Sequence, residues 1–193
     1  MDSQEALRRL REGTPIERRE AAMFLGAVGD ARAVPGLAEA LKADDPGLVQ
    51  AAEAALWAIW SRSGNAEVDR MLAEGIAAVE RREYARAVAL FSRVIAEAPD
   101  FAEGYNKRAT TYYLMGEPAK AISDCHAALA RNPFHFGAAA GQGLCHLALG
   151  QLREAARCFR RALRIHPRLI GVRENLAATQ QRLTAGNGGA AGP

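Results

Sequence analysis

The chain has 193 residues, 49% hydrophobic and 24% charged, a globular balance that excludes wholesale disorder and allows a buried core. Its formal net charge of +3 is too small to argue for nucleic acid. No apolar run approaches the roughly 20 residues that span a bilayer, and the start, MDSQEALRRLREG, lacks the apolar core of a signal peptide. Alanine, leucine, arginine and glutamate dominate and long β-branched runs are missing, so the chain reads as all-α. Cys125, Cys145 and Cys158 show neither CxxC spacing nor even pairing. That pattern points to plain thiols in a reducing compartment, the cytoplasm or, after removal of a transit peptide, an organelle matrix.

Residues 2 to 11 predict a short amphipathic helix with Leu7 and Leu10 on its apolar side. Thr14-Pro15-Ile16-Glu17 is a helix start: Thr14 caps, Pro15 loses nothing at the first helical position, and Glu17 completes a capping box. The helix it opens runs to about Val28, with Ala21, Ala22, Phe24, Leu25 and Val28 inward, and Gly29-Asp30 stops it. A second helix over 33–43 turns Leu37 and Leu41 inward, and Asp45-Pro46 starts a third that ends near Ser61. The third carries one stripe of Leu48, Ala52, Leu56 and Ile59 and a second of Trp57 with Trp60. A helix apolar on two sides is sandwiched. It is expected at the junction with the following half, where the short turn 61–65 would make one continuous solenoid.

Residues 15 to 60 resemble the HEAT-like repeat named after phycobilisome lyases, through LGAVGDARAVPGLAEAL and the following DP with its AAEAAL run. An arginine is usual soon after the DP in that family; Gln50 stands there, which argues against an intact arginine–aspartate ladder. The resemblance implies a helical-repeat segment over residues 1–64 and admits an accessory role in tetrapyrrole attachment or assembly.

Residues 65–184 are organised by a period of 34. Proline recurs at Pro99, Pro133 and Pro167, small residues at Ala87, Ala121 and Ala155 and again at Gly75, Ala109 and Gly143, with bulkier Phe91, Cys125 and Phe159 between those rows. Four columns on one period describe a helix–turn–helix unit stacked on copies of itself. The units fall at about 68–101, 102–135 and 136–169, with helices over 67–80 and 84–96, 101–115 and 118–130, 136–149 and 152–165. Asp100 with Glu103 reads as a capping pair. A last helix over 169–183 shows Leu169, Val172, Leu176 and Leu183 on one side only, with Arg173, Glu174, Gln180 and Arg182 facing water, as a stack end requires. The Gly/Ala-rich tail 185–193 is expected to be disordered.

This half is similar to the tetratricopeptide repeat, or TPR, family over about residues 68–184. The resemblance implies a right-handed αα-superhelix whose groove is lined by the first helix of each unit and binds another protein. Counted from the prolines, the groove receives Leu72, Ile76 and Val79, then Asn106, Lys107, Thr110 and Tyr113, then Ala140, Gly141, Leu144 and Leu147. Asn106 sits where such grooves often place an asparagine whose amide donates to and accepts from an extended backbone. The family's carboxylate clamp for chaperone C-terminal tails needs lysine, asparagine and arginine at positions that hold Leu72, Ile76, Lys107, Gly137 and Gly141 here. With Lys107 alone basic, docking of EEVD-type tails is not expected. An apolar peptide or amphipathic helix is expected instead, with the protein's own N-terminal helix or a second copy as competing occupants. Gly143 belongs to the small column, whereas Gly137 and Gly141 fit either close approach of a partner backbone or a weak helix.

Arg153, Arg157, Arg160, Arg161, Arg164 and Arg168 form a basic patch on the back of the third unit, opposed locally by Glu154. Such a patch grips acidic protein, RNA or an anionic membrane, or is simply a solvated arginine-rich helix face, and no interleaved aromatics accompany it. Cys125-His126 and Cys145-His146 are poor metal sites, because adjacent helical residues point apart. No paired carboxylates, GxSxG, Walker loop or HExxH occurs. The sequence therefore reads as a non-catalytic interaction scaffold with no cofactor, its partner held in the groove with register set by Asn106, Lys107 and Thr110.

Overall fold

The computed structural model describes residues 1–188, and every regular element among them is helical. They divide into two compact units, one of residues 1–64 with Ile165–Arg168 and one of Asn65–Arg164 with the residues from Leu169 onward. None of the described helices is long and apolar enough to cross a membrane.

In the first unit, α1 (Ser3–Glu12) packs on α2 (Pro15–Val28) and α3 (Val34–Ala40), and α2 packs on α4 (Pro46–Trp60). The expected capping box starts α2: Thr14 N donates to Glu17 Oε2 at 2.9 Å and Glu17 N to Thr14 Oγ1 at 3.4 Å. Asp45 caps α4 by accepting from Gly47 N at 2.9 Å. Gly26 lets α2 and α4 cross closely, since a Cβ there would lie 2.9 Å from Ala55 Cα. The expected 33–43 helix is shorter. A 3-10 turn over Ala31–Ala33, capped by Asp30, precedes it, and its end tightens into i→i+3 bonds from Lys42 N to Glu39 O and Ala43 N to Ala40 O. Asp30 pairs with its neighbour Arg32 at 2.6 Å. Trp57 and Trp60 meet edge to face, with centroids 5.3 Å apart.

The second unit is three antiparallel helix pairs and an end helix: α5 (Ala66–Glu80) with α6 (Tyr84–Glu97), α7 (Ala102–Leu114) with α8 (Pro118–Arg131), α9 (Phe136–Ala148) with α10 (Leu152–Ile165), then α11 (Ile170–Gly188). The period reappears as geometry. Each pair turns through a left-handed residue at the same register, Arg82 (φ 60), Gly116 (φ 75) and Gly150 (φ 71). Each turn closes with the same two bonds. Glu83, Glu117 and Gln151 donate to Ala78, Tyr112 and His146, while Arg82, Gly116 and Gly150 donate to Val79, Tyr113 and Leu147, all at 2.9–3.0 Å. That is the Schellman arrangement, which satisfies carbonyls that a helix end leaves open.

Helix crossings explain the small column. A Cβ on Gly75 would lie 2.4 Å from Phe91 Cε1, and one on Gly143 would lie 2.5 Å from Phe159 Cε1. In the middle pair the column holds alanine, and the residue across from it shrinks to Cys125, which shares a buried cluster with Ala109, Ala121 and Cys145. Volume is thus conserved pair by pair: glycine meets phenylalanine and alanine meets cysteine. Leu169 and Val172 pack on the alanine cluster of α8, α9 and α10, as expected of a sealing helix. Helix α11 continues to Gly188, past the point where the tail was expected to lose order, and residues 189–193 of that tail lie outside the described residues.

Candidate peptide-binding site

The first helices of the pairs, α5, α7 and α9, bring the sequence-derived groove residues into repeated rows. Leu72, Asn106 and Ala140 share one register, Lys107 and Gly141 the next, then Ile76, Thr110 and Leu144, then Val79, Tyr113 and Leu147. Burial separates them. Leu72 is 3% exposed and belongs to the α5–α6 core, with Ile76 and Val79 packed half-buried against it. Thr110 and Tyr113 are exposed, and Lys107, Gly141 and Leu144 are half-buried. Thr110 Oγ1 donates to Asn106 O at 3.0 Å, so its hydroxyl is turned onto its own helix.

Beneath Lys107 lies a polar cluster absent from the sequence reading. Glu103 is 1% exposed and His135 0%. His135 caps α9, its Nδ1 accepting from Ala138 N at 3.2 Å. A ring nitrogen that accepts carries no proton, so the proton sits on Nε2, which donates to Glu103 Oε2 at 2.8 Å. Asn106 Nδ2 donates to the same oxygen at 3.0 Å, and Lys107 Nζ pairs with Glu103 Oε1 at 3.1 Å. Burial pushes the Glu103 carboxyl up; the His135 hydrogen bond and the charge of Lys107 outweigh it and hold it below its ordinary value.

Two expectations change accordingly. Glu103 is not half of a capping pair with Asp100, because α7 starts after Phe101 with no side-chain cap and the Glu103 carboxylate points into the protein. Asn106 is 8% exposed with its amide nitrogen directed to Glu103, so it supports Lys107 from behind. No local signal could have revealed the cluster, since Glu103 and His135 stand 32 residues apart and neither recurs at its equivalent position in the other units.

Behind this face, Arg108 of α7 joins three helices: it forks onto Asp124 of α8 at 2.7 and 2.8 Å and donates to Ser92 of α6 at 2.9 Å. Of the α10 arginines, Arg153, Arg157, Arg160 and Arg164 form an exposed row, Arg161 is half-buried, and Arg157 pairs with Glu154 at 2.7 Å. Arg168 lies beyond the helix, after Pro167. Gly137 is half-buried, and a Cβ on Gly141 would meet only Cys125 Sγ, at an ordinary 3.8 Å, so nothing among the described residues requires glycine at 141. Cys125 and Cys145 share one buried cluster; their mutual interaction and burial raise the Cys125 thiol, while the same interaction lowers Cys145. His126 is exposed beside this thiol pair, and His146 Nδ1 bonds Gln151 Oε1 at 2.6 Å.

Comparison with known proteins places this architecture. A TPR repeat-containing protein of Rhizobium etli is 30% identical over 128 residues, covering 66% of this chain and 62% of that protein. The heat-shock protein cognate co-chaperone sgt12 of Aspergillus fumigatus is 25% identical over 129 residues, covering 66% of this chain and 38% of its own length. The chain thus spans less than two thirds of either relative. The first TPR of Spaghetti (RPAP3), solved bound to the HSP90 peptide SRMEEVD, superposes with a TM-score of 0.60 at 24% identity, over 61% of this chain and 93% of that one. These findings overturn the expectation that chaperone tails are excluded as partners. That expectation weighed only the donors at positions 72, 76, 107, 137 and 141, whereas a groove also holds a peptide by its backbone and apolar side chains. The sequence model of the tetratricopeptide repeat matches residues 72–125 and 106–169, together 72–169 of the 193, and the chain belongs to the tetratricopeptide repeat family, with an all-α solenoid fold.

Proposed function

We propose that the face built by α5, α7 and α9 holds a peptide segment of another protein, and that a C-terminal tail of an HSP70- or HSP90-class chaperone is that segment. The observation that carries this is Lys107. Its ammonium is fixed on the face by the buried Glu103 at 3.1 Å, so the charge is positioned before a ligand arrives. It stands between the rows of Ile76, Thr110 and Leu144 and of Leu72, Asn106 and Ala140, a polar centre in a largely apolar face. The co-chaperone relative and the peptide-bound neighbour support the choice of ligand. Leu72, Ile76, Gly137 and Gly141 bring no further donors, so apolar residues of the tail carry the remaining affinity, at about 1–3 kcal/mol per buried anchor. The role is that of a non-catalytic scaffold.

Calorimetric titration with the peptide SRMEEVD tests the reading. Saturable binding is expected, weakened about tenfold by Lys107→Ala and abolished by Thr110→Arg, which fills the face. Absence of saturable binding would overturn the choice of ligand. Equal binding by the parent and both variants would overturn the site.

A further inference from the structure

A cavity of about 440 Å3 opens in the first unit between α1, α3 and the start of α2. Its floor is apolar, formed by Leu7 and Leu10 of α1 and by Gly36 and Ala40 of α3. Gly36 keeps the floor low: a Cβ there would already stand 3.5 Å from Leu10 Cδ2 and 3.7 Å from Leu7 Cδ2, so a longer side chain would grow across it.

Pro35, three arginines and one acid complete the lining, and the partners of the charged groups divide them. Arg32 is spent on Asp30, which it holds with Nε at 3.0 and 3.1 Å and Nη2 at 2.6 Å. Glu39 is spent on Lys42 at 2.7 Å. Arg11 and Arg18 have no carboxylate partner among the described residues. Each instead fixes its Nε on a carbonyl of α1, Arg11 on Leu7 O at 3.2 Å and Arg18 on Leu10 O at 3.0 Å. Anchoring through Nε holds the guanidinium at the cavity and leaves its terminal nitrogens, the donors that match a carboxylate. The site therefore offers one apolar seat and two guanidiniums awaiting acids.

We propose that this cavity binds an acidic segment of a partner protein in which one apolar residue lies between two carboxylates. The apolar side chain covers the floor, and the carboxylates dock on Arg11 and Arg18. Two unspent guanidiniums ask for two carboxylates around one apolar group, which a peptide supplies and a monocarboxylate does not. The cavity lies wholly within residues 1–64, so the proposal stands or falls independently of the face built by α5, α7 and α9.

Fluorescence anisotropy on the full chain tests it, with a labelled Gly-Ser-Glu-Leu-Glu-Ser-Gly peptide beside its Gln-Leu-Gln counterpart. At about 50 mM salt, where surface charge is weakly screened, the acidic peptide is expected to saturate and the glutamine peptide to bind about tenfold more weakly. Arg11→Ala and Arg18→Ala are each expected to weaken binding about tenfold. Gly36→Leu, which fills the cavity without touching a charge, is expected to abolish binding. Urea midpoints equal to the parent's identify the variants that keep their fold, and Arg18→Lys replaces Arg18→Ala if its midpoint falls. Equal binding of the two peptides, parental affinity in both arginine variants, or displacement of the peptide by octanoate as readily as by unlabelled peptide would each overturn the proposal.

Discussion

Two glycines of α9, two residues apart, are expected to answer the same substitution with opposite signs. Gly143→Ala places a methyl 2.5 Å from Phe159 Cε1, 2.6 Å from Cδ1 and 3.1 Å from Cζ. Carbon atoms rest at about 3.5–4.0 Å, so the ring must retreat by about 1 Å. Phe159 is fully buried and has no space to retreat into without displacing its neighbours. Overpacking of this kind costs about 1–3 kcal/mol, of which the better helix propensity of alanine returns about 0.5–1 kcal/mol. The net expectation is a loss of up to about 2.5 kcal/mol. Gly141→Ala meets only Cys125 Sγ at 3.8 Å, an ordinary contact, so the propensity gain of about 0.5–1 kcal/mol stands alone. Urea denaturation followed by circular dichroism reads both as midpoint shifts at unchanged slope. Midpoints that move in the same direction would refute the claim that the small column exists to admit the opposing ring.

The same volume rule predicts coupling in the middle pair. Cys125→Phe alone should cost about 1–3 kcal/mol against Ala109, and adding Ala109→Gly should recover at least about 1 kcal/mol; additive losses in the double-mutant cycle would count against it. Arg82 holds the left-handed turn position that glycine holds in the other two pairs, so Arg82→Gly should stabilise by about 1 kcal/mol, and a lowered melting temperature would contradict this. For Glu103 the folded pKa lies below the unfolded value of about 4.3, so its contribution is present above that pH and lost as pH falls through the folded value. Glu103→Gln should therefore cost about 1–3 kcal/mol near neutral pH, with the gap to the parent closing in acid; a gap that stays constant from neutral pH into acid would exclude the ionised cluster.

Much of the repeat half was legible in the sequence because its determinants recur at fixed spacing. The prolines at 99, 133 and 167 fall two residues after α6, α8 and α10, and α2 starts at the Pro15 that its capping box announced. Such features act within one helix turn or one helix pair, so neighbouring residues suffice to specify them. The α3 helix was harder to read, because Pro35, Gly36 and the Asp30 cap compete over a few residues for a 3-10 turn or a full helix.

The sequence alone therefore determined the helical unit, its period and the face on which Ile76, Thr110 and Leu144 align, all set by local hydrogen bonding and by side-chain volume repeated along the chain. Tertiary structure decided the rest. It alone joined Glu103 to His135, turned Asn106 inward, fixed Lys107 on the face, and matched Ala109 with Cys125 where glycine meets phenylalanine elsewhere. It also left Arg11 and Arg18 with no carboxylate partner among the described residues, beside the apolar floor of α1 and α3. Burial and charge pairing depend on which groups distant segments bring within a few ångströms, and no spacing along the chain encodes that distance.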